Sequence, residues 1–281
     1  MPFQPPVVMT IAGSDPTGGA GLQADVLALA SMGCHPVSVV TAITIQDSVG
    51  VEDIMPLDPE WVIDQARCVL EDMPVAAFKI GLLGSTEIIA AIAELLSDYP
   101  DIPLVLDPIL TSGRGDDMAS EDMVAAMREL IIPQSTIITP NSMEARRLAE
   151  DDLDEDESNL ELCANRLLDL GCEYVLITGT HENTPQVVNT LYRQEGVVRT
   201  DSWQRLPGSY HGSGCTLASA IAATLARGFD MADAVREGQE YTWQTLKNAL
   251  RLGMGQQIPD RLFWARDEDD AGTEGPDDDK Q

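Results

Sequence analysis

The chain has 281 residues, 44% of them apolar, and sets 47 acidic side chains against 17 basic ones for a formal charge of −30. That length suits one α/β domain or two small ones with a sizeable core, and so acidic a chain offers no electrostatic footprint for nucleic acid or an anionic membrane. Five cysteines without a CxxC pair, no signal peptide and no bilayer-length apolar run make a reducing, cytoplasmic setting the expectation.

In chain order, short β-rich runs alternate with longer helical ones. Strands are expected at 7–12, 37–45, 76–80, 104–106, 136–139 and 174–178, with helices at 22–32, 59–71, 86–97, 120–131, 142–149 and 160–170. Gly33 and Gly171 stand where helix C-caps belong. A hairpin follows at 187–193 and 197–205, then helices at 216–227 and 231–250. The βαβα order and near-continuous apolar strands predict an α/β fold, a mainly parallel sheet covered by helices on both faces. One domain is expected over residues 1–266, followed by an acidic, solvated and disordered tail at 267–281. In such folds ligands bind beyond the carboxyl ends of the strands, and the polar clusters below fall at those ends.

The densest signal is Leu206-Pro-Gly-Ser-Tyr-His-Gly-Ser-Gly-Cys-Thr216, which runs straight into an alanine-rich helical pattern. Glycines before a helix leave backbone N–H groups bare, and those orphan donors add to the positive dipole end to make an anion site. A thiol placed there, Cys215, is expected to ionise more readily than free cysteine and to act as a base inside the anion cradle. That pairing suits phosphoryl transfer. His211 borders the same loop and is placed to order it, whereas His35 and His181 carry no chemical expectation.

Earlier in the chain, Ala12-Gly-Ser-Asp-Pro-Thr-Gly-Gly-Ala-Gly-Leu-Gln-Ala-Asp25 follows the first strand. Gly19 sits where a Walker A loop needs lysine, and the spacing fails the dinucleotide fingerprint. What remains is a glycine loop that lets backbone approach a ligand, with Asp25 a turn into the helix. Gln46 ends the second strand, and its planar amide matches an aminopyrimidine's ring nitrogen and exocyclic amine. Asp107 ends the fourth strand, and Asn141-Ser-Met-Glu144 opens a helix. These carboxylates could hold Mg²⁺ through oxygen or water ligands, while Asn141 and Glu144 also fit a capping box.

Taken together, the glycine loop through Asp25, Gln46, Lys79-Ile-Gly81, Leu106-Asp-Pro108, Thr139-Pro-Asn-x-x-Glu144 and His211-Gly-Ser-Gly-Cys-Thr216 resemble, in that order, the hydroxymethylpyrimidine/phosphomethylpyrimidine kinases of thiamine biosynthesis. The resemblance spans roughly residues 7 to 250 and implies a ribokinase-like three-layer sandwich. It implies ATP- and Mg²⁺-dependent phosphorylation of 4-amino-5-hydroxymethyl-2-methylpyrimidine and then of its monophosphate. By the same resemblance Gly13, Ala20, Asp25, Gln46 and Ile109 would hold the pyrimidine. Asp107 and Glu144 would organise Mg²⁺, and Asn141, Thr178 and Gly179 would face the nucleotide. Gly212 and Gly214 would form the anion hole, with Cys215 as base. Where many relatives carry lysine, Gly113 and Thr178 stand here, and Asn189 replaces a frequent aspartate; Arg114 is the nearest compensating cation in sequence. The alternatives are a pyridoxine or pyridoxal kinase, or a non-catalytic pyrimidine-binding sensor on the same fold, and a homodimer is the default assembly.

Overall fold

The computed structural model describes residues 4–112, 115–150 and 159–266; the acidic tail, Gly113 and Arg114 lie outside that set. The chain opens with β1 (Val7–Ser14), α1 (Gly21–Ser31), β2 (His35–Gln46), β3 (Val51–Pro56), α2 (Pro59–Leu70), β4 (Val75–Ile80) and α3 (Thr86–Ser97). It continues through β5 (Leu104–Leu106), α4 (Glu121–Ala126), β6 (Ile137–Ile138), α5 (Ser142–Leu148), α6 (Leu160–Asp169) and β7 (Tyr174–Ile177). The last elements are β8 (Gln186–Arg193), β9 (Gly196–Gln204), α7 (Ser213–Ala226) and α8 (Met231–Lys247). One nine-stranded sheet runs in the order β3-β2-β1-β4-β5-β6-β7-β8-β9. The six strands from β2 to β7 in that order are parallel, and β3, β8 and β9 pair antiparallel with their neighbours.

Successive side chains of a strand point to opposite faces, and here both faces are apolar. Met9, Ile11, Phe78, Ile80, Leu104, Leu106, Ile138, Val175 and Ile177 meet helices α2 to α6. Their neighbours Val8, Ala77, Val105, Ile137 and Leu176 meet α1, α7 and α8. This two-sided burial produces the near-continuous apolar strands that the sequence displays. Helix α7 is buried from Cys215 through Thr224, and its alanines let it lie close against the sheet. The cap at Gly33 forms as expected: φ is +82°, and the amides of Gly33 and Cys34 return to the carbonyls of Ala30 and Leu29.

Four boundaries differ from expectation, each for a local reason. The edge strand β3 was hidden because Val-Glu-Asp-Ile-Met-Pro lacks apolar alternation and is largely exposed. The helix expected to 131 is α-helical only to Ala126; a π-helical turn, Met127–Ile131, and a 3₁₀ turn containing Pro133 complete it. Helix α8 stops at Lys247 because Leu250 pairs instead with Ile258. Helix α7 starts at Ser213 rather than 216, which makes the amides of the glycine motif its first turn.

Candidate active site

Beyond the carboxyl ends of the parallel strands lies a cleft of about 420 Å³, the size of pocket that takes a small ring and its cosubstrate. Gly13, Ala20, Gln46 and Ile109 line one side, and Asn141 and Thr178 line the other. Asp107, Glu144, Gly212, Gly214 and Cys215 lie on the same wall set. Two of the expected residues do not reach it.

The start of α7 is built by a backbone only glycine can adopt. Gly212 caps the helix at φ +77°, and a Cβ there would fall 2.0 Å from the Gly19 carbonyl oxygen. The amides of Ser213, Gly214 and Cys215 therefore open a fourteen-residue helix with no carbonyl a turn earlier to accept them. A Cβ on Gly214 would stand 3.6 Å from both carboxylate oxygens of Asp107, which places this helix start directly against the end of β5.

Cys215 faces the cleft as expected, but its acidity runs opposite to expectation. Burial pushes the thiol up to about 12; Lys79 opposes this, while the Asp107 and Asp25 carboxylates add to it. Desolvation is the largest influence on the sulfur and favours the neutral thiol over the thiolate. Burial also lifts Asp107 to about 6, against Lys79 and a hydrogen bond with the Cys215 thiol. Glu144 rises to about 7 through burial and then the Asp107 charge. Its Oε1 accepts the Leu110 amide at 3.0 Å and its Oε2 the Asn141 amide at 3.0 Å. The Asn141 side chain accepts the Glu144 amide at 2.9 Å, closing the predicted capping box.

Among the described residues no three His, Cys, Asp or Glu groups assemble into a metal cage. The site offers instead two neighbouring buried carboxylates that burial makes hold protons more tightly than usual. Oxygen donors of that kind suit an ion that keeps its waters and rides on substrate phosphates, as Mg²⁺ does.

Asp25 does not line the cleft, contrary to expectation. Wholly buried, it accepts from Thr10 Oγ1 at 2.6 Å, Ser219 Oγ at 2.8 Å and Lys79 Nζ at 2.9 Å. Its helical position turns it into the core between α1, β1, β4 and α7. The fully buried Lys79 would lose its charge to burial, but the carboxylates of Asp25 and Asp107 hold its ammonium above the ordinary value. Gly81 leaves that ammonium its room, since a Cβ there would approach Nζ to 2.8 Å. Gly179 is likewise displaced from the nucleotide side: its amide donates to Asn189 Oδ1 at 3.0 Å, and its bare Cα packs against the Val188 carbonyl.

On the ring side, Gln46 Nε2 donates to Thr44 Oγ1 at 2.7 Å, which donates to the Ser14 carbonyl at 2.8 Å. That anchor fixes the amide plane and leaves its oxygen and second N–H for a ligand. Ile109 holds φ at +44°, a conformation costing a β-branched residue about 1–3 kcal/mol and typical of residues aimed into a site. His211 orders the loop as expected, with Nε2 2.8 Å from Asp15 Oδ2. Trp203 and Trp243 stack with centroids 6.3 Å apart, and both line the cleft. Neither tryptophan had a local sequence signature. Lys79 stood in a recognised motif without a role, and only its burial beside Asp25 supplies one.

A family model described as phosphomethylpyrimidine kinase matches residues 15–260. The hydroxymethylpyrimidine/phosphomethylpyrimidine kinase of Escherichia coli (strain K12) is 35% identical over 250 residues, covering 89% of this chain and 94% of that protein. A pyridoxal kinase from Staphylococcus aureus, solved in complex with ADP, superposes with a TM-score of 0.85 at 26% identity, covering 94% of this chain and 96% of the other. A phosphomethylpyrimidine kinase from Clostridium difficile 630 gives a TM-score of 0.75 at 33% identity, covering 86% of this chain and 99% of the other. The ribokinase-like architecture implied by the sequence resemblance is thus the architecture of the sheet and its neighbours.

Proposed function

The chain belongs to the phosphomethylpyrimidine kinase family, and we propose that it transfers the terminal phosphoryl group of ATP to the alcohol of 4-amino-5-hydroxymethyl-2-methylpyrimidine, then phosphorylates the monophosphate. One observation carries this reading: the bare amides at the start of α7 meet Cys215 and the buried Asp107 and Glu144 in a single cleft. The amides of Ser213 to Cys215 hold charge developing on the transferred group, a preorganised electrostatic role. Cys215 occupies the place of proton acceptor for the attacking alcohol, and the Lys79 charge favours the thiolate that this role needs. Mg²⁺ held by Asp107 and Glu144 would neutralise the triphosphate. Gln46 presents its amide edge to the ring, and Asn141 and Thr178 face the nucleotide.

The pyridoxal reading draws support from the solved pyridoxal kinases of the same fold, but shape is shared by both enzymes and the identity is higher to the pyrimidine kinases. Gln46→Leu separates the two. It should raise the KM for the aminopyrimidine by about 10- to 100-fold, because a paired amide edge is lost, and change pyridoxal turnover far less. Equal effects on both substrates, read by steady-state kinetics, would remove Gln46 from ring recognition.

The raised carboxylates also set a pH profile. kcat/KM reports groups of the free enzyme, so activity should fall as pH drops through the window near 6 to 7 where Asp107 and Glu144 take up protons. Stability moves the other way. Their folded values lie above their unfolded ones, so the folded state binds more protons and gains stability as pH falls through that window. Rate and melting profiles from pH 5 to 8 check both signs; an acid limb with its midpoint near 4 contradicts the assignment.

We read the protein as cytoplasmic, in keeping with five cysteines of which none forms a disulfide, and no helix among the described residues is long and apolar enough to cross a membrane. Homodimerisation through β2 and β3 is supported by Ile43, Ile45 and Met55, exposed on one face with Ile43 directly opposite Met55.

A further inference from the structure

After α8 the chain returns across the mouth of the cleft. Tyr210 bridges to Gln257, the Gln256 amide donates to the Ser48 carbonyl at 2.7 Å, and the Tyr241 hydroxyl holds the Arg261 carbonyl at 2.9 Å. This return delivers the Arg261 side chain, only 2% exposed, to a place between two site loops. Its Nε donates to Thr216 Oγ1 at 3.0 Å, Nη1 to the Gly18 carbonyl at 3.2 Å, and Nη2 to the Gly19 carbonyl at 2.5 Å and the Gly212 carbonyl at 3.5 Å. All these acceptors are neutral oxygens. A buried cation so held is spending its charge on fixing backbone, since a guanidinium's planar donor fork suits several converging acceptors where an ammonium's does not.

The convergence has a steric origin. The loop at 18–20 and the start of α7 approach backbone to backbone, and a Cβ on Gly19 would fall 2.2 Å from the His211 ring. Three carbonyl dipoles consequently point into one small space and repel each other unless a cation sits among them. One of the two loops carries Ala20, on the ring side of the cleft; the other carries the amides of Ser213 to Cys215.

We propose that Arg261 is a positioning residue of the phosphoryl-transfer site: its guanidinium locks the 18–19 loop to the start of α7, keeping the alcohol-binding wall and the amide cradle in register. The proposal rests on the functional reading above for its kinetic consequence alone. Arg261 touches neither reacting group, so its removal should misalign rather than unbind.

Hydrogen exchange and kinetics on the full chain test this with Arg261→Lys and Arg261→Ala. In Arg261→Lys, amides in 16–22 and 210–216 should exchange about tenfold faster or more, while β4 keeps its protection. kcat for the pyrimidine alcohol should fall by about 30- to 100-fold, the size expected of an ångström-scale misplacement, with KM changed less than about threefold. Added guanidinium should restore activity to Arg261→Ala. Uniform acceleration across the sheet, unchanged exchange in either loop, or full kcat with loosened loops would each overturn the proposal. A wild-type protein that fails to phosphorylate the pyrimidine defeats the functional reading instead, and the exchange arm still decides whether Arg261 joins the two loops.

Discussion

Cys215→Ala should lower kcat by about 10²- to 10⁴-fold, the span that one positioned proton-transfer group supplies, while the dissociation constant for the pyrimidine stays within about threefold. The sulfur sits in the cleft at the first turn of α7, against Asp107 and near Lys79. Its acidity is not what the glycine motif alone suggests. A thiol pushed up to about 12 by burial is a poor base, so its usefulness depends on a neighbour that offsets the charge of its thiolate. Lys79 is such a group, whereas the Asp107 carboxylate opposes the thiolate. Cys215→Asp should therefore retain part of the rate, since a carboxylate can occupy the same place and accept the same proton. Calorimetry and steady-state kinetics on the two variants check this. Parallel loss of binding and rate in Cys215→Ala would make the cysteine structural.

The second large effect concerns stability. Asp25→Ala should destabilise the fold by about 3–5 kcal/mol, the usual consequence of leaving one member of a buried ion pair alone. At about 2–4 °C per kcal/mol for a chain of this size class, the melting temperature should fall by about 6–20 °C. Three donors lose their acceptor at once: Thr10, Ser219 and the Lys79 ammonium. Adding Lys79→Met to Asp25→Ala should recover more than half of the loss, because the stranded charge is then gone. Whatever enzyme remains folded in Asp25→Ala should keep an ordinary KM for the pyrimidine. A large KM increase without a change in melting temperature would instead return Asp25 to the ligand.

The contrast between the Cys215 thiol and the Asp25 carboxylate shows what a sequence can disclose about this site. Periodicity exposes β1, β4 and β7 because both sheet faces are covered, and it misses β3 because an exposed edge needs no apolar pattern. Gly212 and Gly214 are legible because bare amides before a helix have one common use. Direction is not legible. Asp25 lies a turn into α1 and Asp107 just beyond β5, both inside recognised motifs, yet one faces inward to Lys79 and the other faces the cleft. Gly179 is placed toward the nucleotide by the resemblance, but its missing side chain makes room for β8. The sign of the Cys215 shift also depends on burial, which the motif does not encode. Arg261 lies 45 to 49 residues after the α7 groups it holds and 242 to 243 after the glycine loop. Contacts that distant leave no local pattern to read.

The central claim is that the cleft at the start of α7 transfers phosphate to an aminopyrimidine alcohol. Phosphate transfer from labelled ATP, measured in parallel on the pyrimidine, its monophosphate and pyridoxal, tests it most directly. The account predicts products from both pyrimidines, with kcat/KM for the alcohol about 10²-fold or more above that for pyridoxal, in line with discrimination by paired polar groups. Preference for pyridoxal, or pyrimidine binding without any ATP turnover, would contradict it.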